Sequence, residues 1–154
     1  MVAKTEPDFV TLVPELADWN EGRGIDIDSW ICCIGDYSHA IGYGRLFWPP
    51  FLEHDDAVFF AQGFAEENYR GFMDRTGGDR RAVEAVMNHH HLLRLFGDRS
   101  SSPSVAQLSH VAGLLSETWL AKLCRDFPAR NFRVDTTGLD VADLDDAQIT
   151  FRQV

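Results

Sequence analysis

Apolar residues recur at helical spacing most clearly between residues 79 and 96. Asp79 is placed to cap the first turn, and Gly77-Gly78 separate it from what precedes. At 100° per residue, Ala82, Val86, Leu93 and Phe96 fall on one stripe, flanked by Val83, Ala85 and Leu92. Arg80, Glu84, Asn88 and His91 fall opposite, and Gly97 supplies a stop. The spacing predicts one helix over 79–96, with His89 in its buried stripe, His90 at the edge and His91 in solvent.

The rest of the chain divides by the same test. Phe9, Leu12, Val13, Leu16 and Trp19 follow helical spacing after Asp8, although Pro14 shortens the element. Trp30–Ile34 is a continuous apolar run bounded by turn residues, which predicts a strand buried on both faces. Residues 37–47 alternate, with Tyr37, His39, Ile41, Tyr43, Arg45 and Phe47 on one face and Ser38, Ala40, Gly42 and Gly44 on the other. That reads as a second strand whose bare face is closely packed. Pro49-Pro50 break it, and Ala57–Ala61 forms a third. A helix is expected over 65–76, with Tyr69, Phe72 and Met73 on one side. A long helix should open at Ser102-Pro103 and run to Phe127, burying Leu108, Ala112, Leu115, Trp119 and Leu123. Strands around Phe132–Val134 and over Gln148–Gln153 close the chain. This order predicts an α+β fold, a mainly antiparallel sheet of about five strands with helices packed largely on one face.

With 154 residues, 45% of them apolar, the chain is long enough to bury a core and is expected to form one domain over 1–154, residues 1–7 being loose. The net charge of −10 disfavours nucleic acid as a partner. The acidity is uneven, because residues 1–60 hold eleven carboxylates against Lys4, Arg23 and Arg45. No leader or membrane-length apolar run is present in the sequence, so a soluble, cytoplasmic protein without membrane association is expected. Cys32, Cys33 and Cys124 show neither disulfide nor zinc-knuckle spacing. Nothing in the pattern sets an oligomeric state.

No motif specifies a reaction, and whether the chain is an enzyme stays open. Gly42-Tyr-Gly44 is not followed by a helix in this reading, so it lacks a phosphate-binding context. Cys33 with His39 or His89 would make a thiolate pair, but the apolar run around Cys33 keeps a thiol inert. No cofactor is called for. Two function classes remain. The first is an acidic binding protein, of the kind that includes inhibitors and immunity proteins, engaging a basic partner protein. Its surface would be Asp26, Asp28, Trp48, Phe51, Glu53, Asp55 and Asp56, where acids surround an aromatic, proline-stiffened bend. The alternative is a metal-dependent or hydrolytic enzyme assembled from His39, His54 and His89 on separate elements. A helical 89–91 triplet could not itself chelate, because consecutive helical side chains diverge.

Overall fold

The computed structural model describes residues 6–96, 102–139 and 144–154. The protein is α+β; among the described residues 56% are helical and 16% strand, with antiparallel sheets of two and three strands. The chain divides into two compact units, residues 1–42 and 43–154. The expected loose leader at residues 1–5 lies outside the described residues, and Glu6 and Pro7 are exposed coil.

The first unit is helical. Asp8 caps α1 (Phe9–Leu12), its carboxylate accepting from the Thr11 N–H at 3.3 Å and the Thr11 hydroxyl at 2.6 Å. Those bonds, the hydroxyl's foremost, lower the Asp8 pKa. A 3-10 turn at Pro14–Asp18 buries Leu16, and α2 (Trp19–Gly22) reverses the chain through left-handed Asn20 and Glu21. Then come α3 (Ile27–Ile34) and the start of α4 (Tyr37–Phe47). Both were expected as strands, and both are helices.

Local capping explains the difference. The Asp26 carboxylate accepts from the Ser29 N–H at 2.9 Å and the Ser29 hydroxyl at 2.8 Å, closing the first turn of α3. The Asp36 carboxylate does the same for α4 by accepting from the His39 N–H at 2.9 Å. A capped eight-residue helix satisfies much of its backbone internally, whereas a strand needs a partner. The alternation over 37–47 was a coincidence of small residues. Gly42 and Gly44 have no neighbouring atom within 4 Å of a built Cβ, so no close packing occupies that side.

The second unit begins with a hairpin of β1 (Phe51–His54) and β2 (Ala57–Phe60), paired in the register Phe51 with Phe60 and His54 with Ala57. Its two turn residues, Asp55 and Asp56, have φ of 49° and 63°, the sign a twist-matched two-residue turn requires. Next come α5 (Glu66–Arg75), α6 (Arg80–Met87) and β3 (His90–His91). The long helix α7 (Val105–Asp126) is followed by β4 (Phe132–Thr137) and β5 (Gln148–Gln153). The cap of α7 is Ser104, not Ser102, and Ser104 and Gln107 bond each other's backbone N–H groups reciprocally. The three-stranded sheet has the order β3-β5-β4.

The main core joins β2, α7 and the three-stranded sheet through Val58, Phe60, Leu115, Trp119, Ile149 and Phe151. Trp119 is 1% exposed, donates from its indole to the Leu46 carbonyl at 3.0 Å, and meets Phe60 edge-on. A second cluster gathers Ala57, Phe59, Tyr69 and Val83 under α5 and α6.

The helix expected over 79–96 stops at Met87. Glu84 and Asn88, expected in solvent, are buried with relative exposures of 1% and 0%. The Glu84 carboxylate accepts from the Val58 N–H at 2.6 Å and the Gln153 N–H at 2.9 Å. Asn88 accepts from the Phe60 N–H at 3.2 Å and donates to the Val58 carbonyl at 2.8 Å. Periodicity alone cannot see this, because it assumes that polar means outward. Beyond Asn88 the chain leaves the helix to pair with β5, His90 opposite Ile149 and His91 opposite Gln148. His89 is consequently exposed, and His90 and His91 are half-buried.

Candidate functional site

The acidic and aromatic residues singled out from the sequence are differently engaged. In the first unit, Asp26 is bound to Ser29, first through that residue's N–H, and its pKa is lowered accordingly. Asp28 is exposed in the first turn of α3. In the second unit, Glu53 pairs with Arg130, and Asp56 lies 3.5 Å from Arg80. Arg130 and Gln153 also donate to the Asp56 carbonyl, at 2.8 and 2.7 Å. The hairpin acids thus meet distant cations that local charge counting could not assign. Phe51 packs against Phe60 and Phe151 at 5.3 and 5.1 Å, whereas Trp48 keeps 40% exposure.

The histidines proposed as metal ligands sit on separate elements. His39 lies in the exposed first part of α4, 3.8 Å from Asp36. His54, at the end of β1, stands 2.9 Å from the Glu66 carboxylate, close enough for charge attraction but without hydrogen-bond alignment. Its ring packs edge-on against Tyr69 at 4.7 Å and lies tilted against Phe64 at 5.1 Å. The Tyr69 hydroxyl is enclosed without a hydrogen-bond partner among the described residues. Burial raises the phenol pKa, and the Asp55 carboxylate adds to it through its charge. This group ties the hairpin turn to α5. Among the described residues no cluster of three or more His, Cys, Asp or Glu side chains could hold a metal ion.

The 89–91 segment has a different character. His89 and His90 line a cavity of about 170 Å³ with Phe59, Phe60, Phe64 and Met87, Gln62 and Gly63 completing its wall. The His90 ring meets Phe60 edge-on at 4.7 Å and Trp119 at 5.8 Å. Burial in that aromatic setting lowers its pKa, and His89 adds to the effect. Sequence reasoning put His89 inside and His91 in solvent, whereas His89 is exposed and His91 half-buried; His90 is half-buried, as an edge position implies, and Glu66, Glu84 and Asn88 were missed as engaged groups. A signal was present in Asn88, a residue suited to ending a helix, followed by three histidines that could then alternate.

A further exposed surface belongs to the first unit. No side chain of α3 or α4 is buried. Ile31 and Ile34 are 52% and 51% exposed, Tyr37 is 90% exposed and Ile41 is 76% exposed. Cys32 and Cys33, expected inside a buried strand, are exposed free thiols. No helix among the described residues is long and apolar enough to cross a membrane. No protein-family model, curated protein or solved structure matches this chain.

Proposed function

We propose that this protein is a binding module whose first unit engages a basic, amphipathic segment of a partner protein. The observation that carries the reading is the exposure of four large apolar side chains on two consecutive helices, Ile31 and Ile34 on α3 and Tyr37 and Ile41 on α4. Contiguous apolar surface on a folded protein marks a place that another molecule covers. Charge selects the kind of molecule. Residues 1–42 carry Glu6, Asp8, Glu15, Asp18, Glu21, Asp26, Asp28 and Asp36 against Lys4 and Arg23. An excess of acid in the same unit repels anionic lipid and attracts a partner with lysine or arginine beside an apolar stripe. The reading narrows the acidic surface expected from the sequence. It keeps Asp28 and leaves Glu53 and Asp56 to their arginines.

The test uses the full chain and a helical lysine–leucine peptide with one apolar face, followed by calorimetry at several salt concentrations. Binding should weaken as salt rises. Ile31→Ser with Ile41→Ser should abolish it, and Asp18→Asn with Asp28→Asn should weaken it. Circular dichroism and denaturation midpoints should stay unchanged in both variants, since all four side chains are exposed. Binding indifferent to salt and to both variants overturns the proposal. So does sedimentation showing a dimer without peptide that the Ile31→Ser, Ile41→Ser variant dissolves, because a second copy would then be the occupant.

A further inference from the structure

The end of α6 at Met87 changes what the three adjacent histidines can do. On a continuous helix they would radiate in three directions. In the extended segment that follows, residues two apart share a side, so His89 and His91 form a His-x-His pair. Their rings lie 5.5 Å apart, centre to centre. Two imidazoles on one tetrahedral ion, each with a metal–nitrogen distance of about 2.0–2.1 Å, have ring centres about 5 Å apart. The spacing therefore already approximates that of a chelating pair.

The ring nitrogens are differently occupied. His89 Nδ1 lies 2.5 Å from the Val86 carbonyl oxygen. A carbonyl only accepts, so Nδ1 carries the proton and Nε2 keeps its lone pair. A backbone carbonyl holding the distal N–H is the arrangement that orients histidine ligands and fixes their tautomer. On His91, Nδ1 is enclosed and has no hydrogen-bond partner among the described residues. An enclosed imidazole nitrogen without a partner is unfavourable, and a cation would relieve it.

We infer that His89 and His91 form a two-histidine site for a divalent late first-row metal ion, with zinc as the borderline case and copper the strongest binder. Imidazole donors select that part of the series. His89 donates through Nε2 and His91 through Nδ1. Because His89 is exposed, water fills the remaining coordination positions. The pair is independent of the proposed docking face, which belongs to residues 1–42. It also differs from a combination of His39, His54 and His89, since it requires neither His39 nor His54.

The experiment is zinc calorimetry on the untagged full chain, with copper(II) electron paramagnetic resonance as the second readout. One zinc per chain is expected, and the copper spectrum should show two nitrogen donors. His89→Ala and His89→Gln should each weaken zinc binding by at least ~10-fold, as should His91→Ala, since removing a ligand costs no less than removing its outer partner. The exposed His89 makes its two variants safe for folding if His91→Ala proves unstable. His39→Ala and His54→Ala should leave the affinity and the spectrum unchanged. Absence of stoichiometric zinc, or zinc binding that survives both His89 variants, overturns the site. Loss of binding in His54→Ala with its fold intact overturns it equally.

Discussion

The carboxylate of Glu84 accepts the backbone N–H of Val58 at 2.6 Å, so a helix side chain stands where a neighbouring strand would be. With Asn88 one turn later bonding both Val58 and Phe60, the outer edge of β2 is paired by side chains alone. The same carboxylate accepts from the backbone and side-chain N–H groups of Gln153, at 2.9 and 2.7 Å, which fastens the hairpin to β5. Covering an edge in this way satisfies buried backbone groups and removes a template for aggregation.

Truncating either residue should therefore leave buried donors unpaired. Glu84→Ala and Asn88→Ala are each expected to destabilise by about 2–4 kcal/mol in urea titrations, since every stranded buried donor or acceptor carries a desolvation penalty. Asn88→Asp should be as harmful as Asn88→Ala, because it sets a carboxylate against the Val58 carbonyl. Unchanged midpoints for both alanine variants would mean that water replaces these bonds and that the edge is open.

Trp119 joins α7 to Phe60 and to the Leu46 carbonyl. Its replacement by alanine should cost about 3–5 kcal/mol, the range for large buried aromatics. Trp119→Phe should cost less, about 1–2 kcal/mol, mainly for the hydrogen bond left unmade. Thermal and urea midpoints measure both, and a Trp119→Phe variant as stable as the parent would show that the indole bond contributes nothing.

Glycines distinguish the helical α4 from the strand expected there. Gly42→Ala and Gly44→Ala meet open space, and each should stabilise by about 0.5–1 kcal/mol through helix propensity. In a tightly covered strand a side chain at these positions would have been harmful. Gly138→Ala behaves oppositely. Its φ is +73° and a Cβ would sit 2.5 Å from the Asp146 carbonyl oxygen, so at least about 1–2 kcal/mol should be lost. Melting temperatures of the three variants give the comparison directly.

Tyr69 provides the pH-dependent expectation. Its phenol pKa is raised in the folded protein, by burial first and then by Asp55, above the usual value of 10.0. Both states hold the proton below that value, so Tyr69 contributes no slope there. As pH rises past 10, the unfolded chain releases its proton first and stability falls until the folded phenol also ionises. Near-ultraviolet absorbance should show one late phenolate step that Tyr69→Phe removes, together with part of the alkaline loss of stability. A parent in which every phenol ionises at the usual pH, with no late step, would place Tyr69 in water.

The amino-acid sequence by itself determined the elements whose signals are local or strongly periodic. The stripe of α7, the hairpin strand Ala57–Phe60, α5 and the alternating β5 all stand where the pattern put them. The rest was decided in three separate ways, one by a local cap and two by tertiary contacts. Trp30–Ile34 was ambiguous because a short apolar run suits a buried strand and an exposed helix equally, and only the Asp26 cap separates them. Glu84 and Asn88 looked like a solvated face because their partners, Val58, Phe60 and Gln153, lie at sequence distances no periodicity reaches. The histidine triplet looked helical until pairing with β5 drew the chain out after Asn88. Backbone ladders form between segments distant in sequence, so the directions of the His90 and His91 side chains were set by pairing with Ile149 and Gln148, not by their own neighbours.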